Sequence, residues 1–303
     1  MAYKIVVCAK QVPDTREISG DAMKADGTLN RAALPAIFNP EDKNALEMGL
    51  GLRDRFGGMV TVITMGPPRA ADILRESLEM GADHVVLLTD RGFAVADTLA
   101  TSYTLGRAIE RAGGADVVLC GRQAIDGDTA QIGPQLAGRL GIAQATYVTE
   151  VVSLGDGVAR VKRMIEGGVE VVDCRLPVLM TIPDAANEPR PPRAKLVMKY
   201  KHARAPWELA REVDPEGEMP DDELARKLGE IEYELAQKDL LIAEWDGAAI
   251  AADMERTGYL GSPTRVMKIE PALLKKTEHK RVEPTEEGLS DLVHELAEDH
   301  VLG

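Results

Sequence analysis

Four short apolar runs alternate with helical patterns through the first 140 residues, and this alternation constrains the fold strongly. The runs are Tyr3–Ala9 (YKIVVCA), 59–65 (MVTVITM), His84–Leu88 (HVVLL) and 116–120 (DVVLC), and helical patterns cover 39–55, 70–80, 97–112 and about 129–140. Strands that alternate with helices of this length indicate βαβ units and a parallel sheet. Such strands are buried on both faces, which explains their nearly continuous apolar character. The sequence therefore predicts an α/β fold.

Several residues at the predicted helix starts match the known preferences of helix N-termini. Asn39 is a good N-cap before Pro40, and Glu41 and Asp42 suit the positive end of the helix dipole. Asp128 or Thr129 is the expected cap of the fourth helix.

The pattern changes near residue 150. Residues 150–154 and 158–164 resemble antiparallel strands joined by a turn, and 169–175 and Val178–Ile182 are further strands. The prolines of 187–193 (NEPRPPR) predict an extended, exposed connector, and 207–256 is an acidic helical stretch. Residues 261–271 look extended, and 286–300 form an amphipathic final helix. We expect a nucleotide-binding domain over 1–200 and an arm over 201–303 that packs on it or on another chain.

Composition narrows the function classes. The net charge of −14 argues against a nucleic-acid partner, which requires a basic surface. Three separated cysteines without a CxxC pair support neither a zinc nor an iron–sulfur site and predict buried, reduced thiols. No signal-peptide pattern and no apolar run of about 20 residues is present, so we expect a cytoplasmic protein.

Catalytic and metal motifs are not apparent. The five histidines are His84, His202, His279, His294 and His300. None lies beside a serine or cysteine in a nucleophile elbow, and none belongs to an HExxH motif. We therefore expect neither catalytic residues nor a metal site.

Parallel sheets of this kind bind ligands outside the carboxyl ends of their strands. That rule selects the residues after Ala9, before Asn39, after Met65 and after Cys120. In the first of these places, Ala9 and Val12 could lie against a flat adenine ring, although a plain connector is equally consistent with the spacing.

The segment GRQAIDGDTAQIGP, residues 121–134, follows the fourth strand directly. Gly121 lies at the strand exit and Gly127 at a turn, and backbone N–H groups at the following helix start form an anion site. Thr129 and Gln131 can add side-chain hydrogen bonds. The segment matches neither GxGxxG nor the P-loop pattern, and an ordinary strand–helix loop remains the alternative.

The segment VKRMIEGGVEVVDCRLPVLMT, residues 161–181, resembles the signature of the beta subunits of electron transfer flavoproteins. Arg163, the Glu166 turn, Glu170, Pro177 and Thr181 supply its elements. The segments KIVVCAKQVPD, FNPEDKNALE, ESLEMGAD, GRQAIDGDTAQIGP and NEPRPP match in the same order. The resemblance covers 1–201 and resumes at GSPTRVMKI, while the acidic stretch 207–256 departs from it and has no assigned role.

The resemblance implies a Rossmann-like fold of the adenine nucleotide alpha-hydrolase type and a heterodimer with an alpha subunit that carries FAD. The beta subunit's own nucleotide is then AMP in simple members and a second FAD in electron-bifurcating members. The connector after Asn187 resembles the loop with which the family meets partner dehydrogenases.

The resemblance also implies site residues in this chain. The adenine side comprises Ala9, Lys10 and Val12; Asn39 and Glu41 lie near the ribose; Met65 and Gly66 line the pocket; and the phosphate side comprises Arg122, Ala124, Gly127, Asp128, Thr129, Ala130, Gln131 and Ile132. Arg122 and Arg163 are candidates for placing positive charge near a flavin or phosphate.

The DGDTAQ form of the loop is similar to that of bifurcating and nitrogen-fixation-type members, and the small Gly127 and Ala130 leave room for a diphosphate. The resemblance therefore favours FAD, with AMP as the alternative. The implied function is electron carriage between NADH or acyl-CoA-type dehydrogenases and a quinone reductase or ferredoxin, by bifurcation at the chain's own FAD. The alternative is a non-bifurcating subunit that holds structural AMP.

Overall fold

A central sheet of seven parallel strands organises the chain in the computed structural model, which describes residues 2–14, 35–264 and 281–298. The strands are β1 (Tyr3–Ala9), β2 (Gln11–Pro13), β3 (Ala36–Phe38), β4 (Gly58–Met65), β5 (His84–Leu88), β6 (Val117–Gly121), β7 (Ala143–Ala145), β8 (Val148–Gly155), β9 (Val158–Ile165), β10 (Gly168–Arg175), β11 (Val178–Ile182) and β12 (Ala243–Trp245). The order across the sheet is β12-β5-β4-β1-β6-β11-β7, and every neighbouring pair is parallel. The predicted α/β fold is confirmed.

Helices cover both faces of this sheet. They are α1 (Pro40–Phe56), α2 (Ala71–Met80), α3 (Thr98–Arg111), α4 (Ile132–Leu140), α5 (Ala194–Tyr200), α6 (Pro206–Val213), α7 (Asp221–Gln237) and α8 (Glu286–Glu298). Side chains of β1 alternate between the two cores: Ile5 and Val7 pack with α1 and α2, whereas Val6 and Cys8 pack with α3 and α4. This two-residue period, with apolar residues on both faces, produces the continuous apolar run seen in the sequence.

The second half of the chain also contributes to the sheet. Strand β11 pairs with β6 and so returns to the parallel sheet. Strands β8 and β9 are antiparallel, as predicted, and together with β10 they form a separate sheet. The acidic stretch forms the predicted helices α6 and α7. It also adds β12 to the sheet edge beside β5, which its helical pattern did not indicate.

The prediction for the start of α4 is wrong. The helix begins at Ile132 and its N-cap is Gln131, which makes no side-chain cap, so neither Asp128 nor Thr129 caps it. Asp128 and Ala130 have φ angles of 49° and 52°, which are incompatible with a right-handed helix. Residues 128–131 therefore belong to the loop before α4.

The remaining sequence predictions have mixed outcomes. Residues 187–193 contain no helix or strand, as expected, but Arg190 is half-buried in an ion pair with Glu47 at 2.7 Å. Cys8 and Cys120 are buried free thiols, whereas Cys174 is only half-buried. Helix α8 agrees with the predicted final helix through Glu298, and 265–271 and 299–300 lie outside the described residues. Among the described helices, none is long and apolar enough to cross a membrane.

Candidate functional site

Three adjacent strands, β4, β1 and β6, end at the same edge of the sheet. Ala9 and Lys10 leave β1, Met65 and Gly66 leave β4, and the loop of residues 122–131 leaves β6. The start of α1 lies against the same edge, because the N–H of Asn39 donates to the carbonyl of Lys10 at 2.9 Å. The structure therefore brings the four predicted ligand-binding places together.

Asn39 braces the loop that follows β6. Its side chain is fully buried, with Nδ2 donating to the Gln123 carbonyl at 2.9 Å and Oδ1 accepting from the Ile125 N–H at 3.1 Å. It occupies the N-cap position of α1 but makes no cap hydrogen bond with its side chain. The predicted cap position is correct, and the side chain serves the neighbouring loop instead of its own helix.

Glu41 binds the same loop at Arg122 and Gln123. Its Oε2 accepts from the Gln123 N–H at 2.8 Å, and its Oε1 accepts from Arg122 Nε at 2.9 Å. The Glu41 side chain is buried, and Arg122 is its ion-pair partner. The positive charge of Arg122 is therefore largely committed to neutralising a buried carboxylate.

Asp42 joins the ends of two strands. Its Oδ2 accepts from the Lys10 N–H at 2.9 Å and its Oδ1 from the Gly121 N–H at 2.9 Å, so one carboxyl group ties β1 to β6. Burial raises the pKa of Asp42 from 3.8 to about 7, against the opposing effect of these hydrogen bonds and of the Lys10 charge. From the sequence, the only role predicted for Asp42 was a favourable interaction with the positive end of the helix dipole.

The raised pKa of Asp42 makes stability depend on pH. Between about pH 4 and about pH 7 the folded chain holds a proton that the unfolded chain has released, so the free energy of unfolding should fall as pH rises through this window. The slope is at most about 1.4 kcal/mol per pH unit and disappears above about pH 7. Urea unfolding of the wild type and of Asp42→Asn across this range isolates the effect as a difference between the two proteins. If the wild type instead became more stable relative to Asp42→Asn as pH rises, the two N–H hydrogen bonds would be keeping the carboxyl group ionised.

Acidic side chains around the loop have local partners. Lys10 Nζ lies 2.7 Å from Asp126 Oδ1, and Gln123 Nε2 donates to Asp128 Oδ1 at 2.9 Å. Gln131 Oε1 accepts from the Thr98 hydroxyl at 2.8 Å, which links the loop to the start of α3. Since Asp126 and Glu41 are both ion-paired, their repulsion of an approaching anion is reduced.

The end of the loop presents unpaired backbone donors. The N–H groups of Thr129, Ala130 and Gln131 donate to no acceptor in the described part of the chain. The positive φ angles of Asp128 and Ala130 alternate with ordinary ones, and α4 begins immediately afterwards. Consecutive N–H groups in such a conformation form an anion-binding concavity, and the positive end of a helix reinforces it. The loop is therefore suited to holding phosphate oxygens.

Two glycines allow close packing beneath this loop. A Cβ on Gly121 would lie 2.5 Å from Asp42 Oδ1, and a Cβ on Gly133 would lie 2.5 Å from Thr181 Cγ2. Gly121 lets the start of α1 approach β6, and Gly133 lets the first turn of α4 approach β11. The sequence placed Gly121 at the strand exit, but it gave no indication of these close approaches.

The electron transfer flavoprotein domain, as a sequence family, matches residues 26–205 of the chain. The electron transfer flavoprotein subunit beta of Clostridium acetobutylicum is 42% identical over 298 residues, which cover 98% of this chain and 99% of the relative. The chain belongs to the electron transfer flavoprotein beta subunit family. The resemblance inferred from the ordered motifs is thereby confirmed.

Two other relatives of this flavoprotein subunit carry informative names. Protein FixA of Azorhizobium caulinodans is 50% identical over 207 residues, covering 66% of this chain and 72% of the relative. The acryloyl-CoA reductase electron transfer subunit gamma of Anaerotignum propionicum is 38% identical over 310 residues, covering 99% and 100%. Electron transfer is therefore the shared activity of the family to which the chain belongs.

The remaining predicted site residues of this flavoprotein subunit differ in accessibility. Gly127, Asp128, Thr129 and Gln131 are exposed; Met65, Gly66, Arg122, Ala124, Ala130 and Ile132 are half-buried; and Ala9 and Val12 are buried. Arg163 lies in β9 of the antiparallel sheet, where its guanidinium donates to the Thr146 carbonyl at 2.8 Å and pairs with Glu170. Its charge is therefore engaged by these local partners.

Proposed function

We propose that this chain is the beta subunit of a heterodimeric electron transfer flavoprotein and binds FAD along the edge formed by β4, β1 and β6. The observation that carries the proposal is the group of unpaired N–H donors at Thr129, Ala130 and Gln131 before α4. A pyrophosphate accepts several such hydrogen bonds at once. The adenine then lies toward Ala9 and Met65, at the ends of the neighbouring strands.

The chain's own residues set the position of this nucleotide. The loop is fixed by hydrogen bonds to Asn39 and Glu41, and Asp42 fixes the end of β6 that precedes it. The backbone N–H donors of the loop are therefore aligned before the nucleotide binds. The ion pair of Lys10 with Asp126 closes one side of the loop. A bound flavin would supply hydride acceptance from NADH and release of the two electrons one at a time.

FAD is favoured over AMP by the space around the loop. A Cβ added to Gly127 would meet no atom within 4 Å, and the Ala130 side chain is a single methyl group. This open rim can accommodate a ligand that continues beyond the first phosphate. We therefore propose that this loop would hold a flavin, which would supply the chemistry for dividing electrons from NADH between the alpha-subunit FAD and a low-potential acceptor such as ferredoxin.

The proposed electron partners beyond the heterodimer are an acyl-CoA-type dehydrogenase or a quinone reductase. The name of the Anaerotignum propionicum relative supports the first class, because that protein is an electron transfer subunit of acryloyl-CoA reductase. We assign the connector of residues 187–193 to this contact. Its exposed Pro191, Pro192 and Arg193 are available, while Arg190 anchors it to α1.

The number of flavins per heterodimer tests the proposal. The chain should be purified with its alpha subunit and its released nucleotides separated and counted. Two flavins per heterodimer, both reduced by NADH without oxygen, are expected. One flavin together with one AMP would establish the structural-AMP alternative and exclude bifurcation at this subunit.

Gly127→Val should release the nucleotide without harming the fold. The added side chain points into open space in the protein alone, so the free energy of unfolding should change by less than about 0.5 kcal/mol. The same side chain occupies space assigned to the phosphates, and nucleotide occupancy should fall at least about tenfold, as for a lost charged hydrogen bond. Gly138→Ala in α4 is the control, because it is exposed and should retain full occupancy. Unchanged occupancy in Gly127→Val would place the phosphates elsewhere.

A further inference from the structure

A cavity of about 610 Å³ lies between α3, α4 and the segment of residues 255–263. It is lined by Leu99, Tyr103, Arg139, Glu255, Arg256, Leu260, Gly261, Ser262 and Pro263. Arg139 is near the carboxyl end of α4, whereas the phosphate loop precedes its amino end. Arg139 follows Gln131 by eight residues, or about 12 Å along the helix axis. The arginine end of the cavity therefore lies away from the phosphate loop, whereas Leu99 at its other end adjoins Thr98, which contacts Gln131.

Two arginines flank one aromatic ring in this cavity. The guanidinium carbon of Arg139 is 5.0 Å from the Tyr103 ring centroid and that of Arg256 is 4.4 Å from it. The ring is held in place, because the Tyr103 hydroxyl accepts from the Asp253 N–H at 2.8 Å. Both charges are therefore positioned by the same rigid side chain.

Neither guanidinium has a hydrogen-bond acceptor or an ion-pair partner in the described part of the chain. Arg139 Nε is a buried donor without a partner. Burial and the charge of Arg256 lower the pKa of Arg139. Glu255 lies on the wall, but it forms no ion pair with either arginine among the described residues. Two unpaired guanidinium charges on one cavity wall repel each other, and an anion bound against them would reduce this repulsion.

We propose that this cavity binds a small organic anion, with Arg139 and Arg256 holding its phosphate or carboxylate group. Leu99, Leu260 and Pro263 provide apolar contacts for the rest of the ligand. Guanidinium groups suit this role because their planar donors match both kinds of oxyanion. The volume lies within the range of about 300–1,000 Å³ typical of small-molecule sites.

Calorimetric titration of the full-length chain with inorganic pyrophosphate at low ionic strength tests the proposal. The wild type is compared with Arg139→Gln, Arg256→Gln and the control Arg211→Gln. Arg211 also lies over an aromatic ring, 5.1 Å from the Trp207 centroid, but it does not line the cavity. Pyrophosphate binding at the phosphate loop should be the same in all four proteins. A second binding event that differs between the wild type and the two cavity variants can therefore be assigned to the arginine pair.

Each cavity variant should weaken the second event by about tenfold or more, as expected for a lost hydrogen bond between charged groups. Arg211→Gln should leave it unchanged. Arg256 is exposed, so its variant should fold even if Arg139→Gln does not. The Arg139 Nε–H signal in a nitrogen–proton correlation spectrum should shift when pyrophosphate saturates the wild type.

Equal binding by all four proteins, or an Arg139 signal that does not move, would overturn the proposal. Weaker binding of the alpha subunit by the cavity variants, with pyrophosphate binding unaffected, would assign the arginine pair to a protein carboxylate and would also overturn it.

Discussion

Replacing Gly121 with alanine should lower the free energy of unfolding by about 3 kcal/mol and abolish nucleotide binding. The new Cβ would lie 2.5 Å from Asp42 Oδ1, 2.8 Å from Asp42 N and 2.8 Å from Glu41 C. Two of these are backbone atoms at the start of α1, which cannot move aside by a change of rotamer. The helix start must shift, and the hydrogen bonds that Asp42 accepts from Gly121 and Glu41 accepts from Gln123 are then lost together.

Gly138→Ala is the matched control for this substitution. It adds the same methyl group at an exposed position of α4, where no atom lies within 4 Å of the new Cβ, so it should neither lower the free energy of unfolding nor change the nucleotide content. Urea unfolding and nucleotide content measured on both variants provide the comparison. If Gly121→Ala matched this control in both measurements, the contact between β6 and the start of α1 would not control the site.

Five strands of the central sheet, β1, β4, β5, β6 and β11, were predictable because each carries a strong local pattern. Tyr3–Ala9 and His84–Leu88 are strands with the predicted bounds, since buried parallel strands are apolar throughout. Strands β7 and β12 have only three residues each and were not predicted. A strand this short is defined by hydrogen bonds to its neighbour, which the sequence does not reveal.

That the candidate site residues meet at the strand ends was also predictable, but the hydrogen bonds that brace them were not. Asn39, Glu41 and Asp42 each had a sufficient local explanation at the helix start. Their partners Ile125, Gln123 and Gly121 lie 86, 82 and 79 residues away along the chain. Local rules cannot distinguish a capping side chain from one that reaches across to another loop.

The start of α4 illustrates a conflict between local preference and tertiary structure. Residues 129–131 are compatible with a helix, yet Ala130 adopts a positive φ that favours glycine. The loop is fixed on one side by Asn39 and Glu41 and on the other by the contact of Gln131 with Thr98. This strain exposes the backbone donors that we assign to the phosphates.

Asp42→Asn should lower the free energy of unfolding by about 1–3 kcal/mol and weaken nucleotide binding by about tenfold or more. The carboxyl group of Asp42 accepts hydrogen bonds from two buried N–H groups, at Lys10 and Gly121. An amide has one acceptor oxygen, and its nitrogen accepts no hydrogen bond whether Asp42 is ionised or protonated in the wild type. One N–H is left unpaired, and the ends of β1 and β6 are no longer tied together.

Asp116→Ala, which removes the acceptor altogether, separates this local effect from a general loss of stability. Asp116 Oδ2 accepts from the Lys4 N–H at 2.8 Å and so joins the same two strands, but at their amino ends, away from the site. Its substitution should reduce stability while nucleotide affinity stays the same. Loss of affinity in both variants would mean that binding follows overall stability. Loss in Asp42→Asn alone would show that the carboxyl group beneath the loop fixes the geometry of the nucleotide site, since both variants weaken the connection between β1 and β6 but only one disturbs the loop.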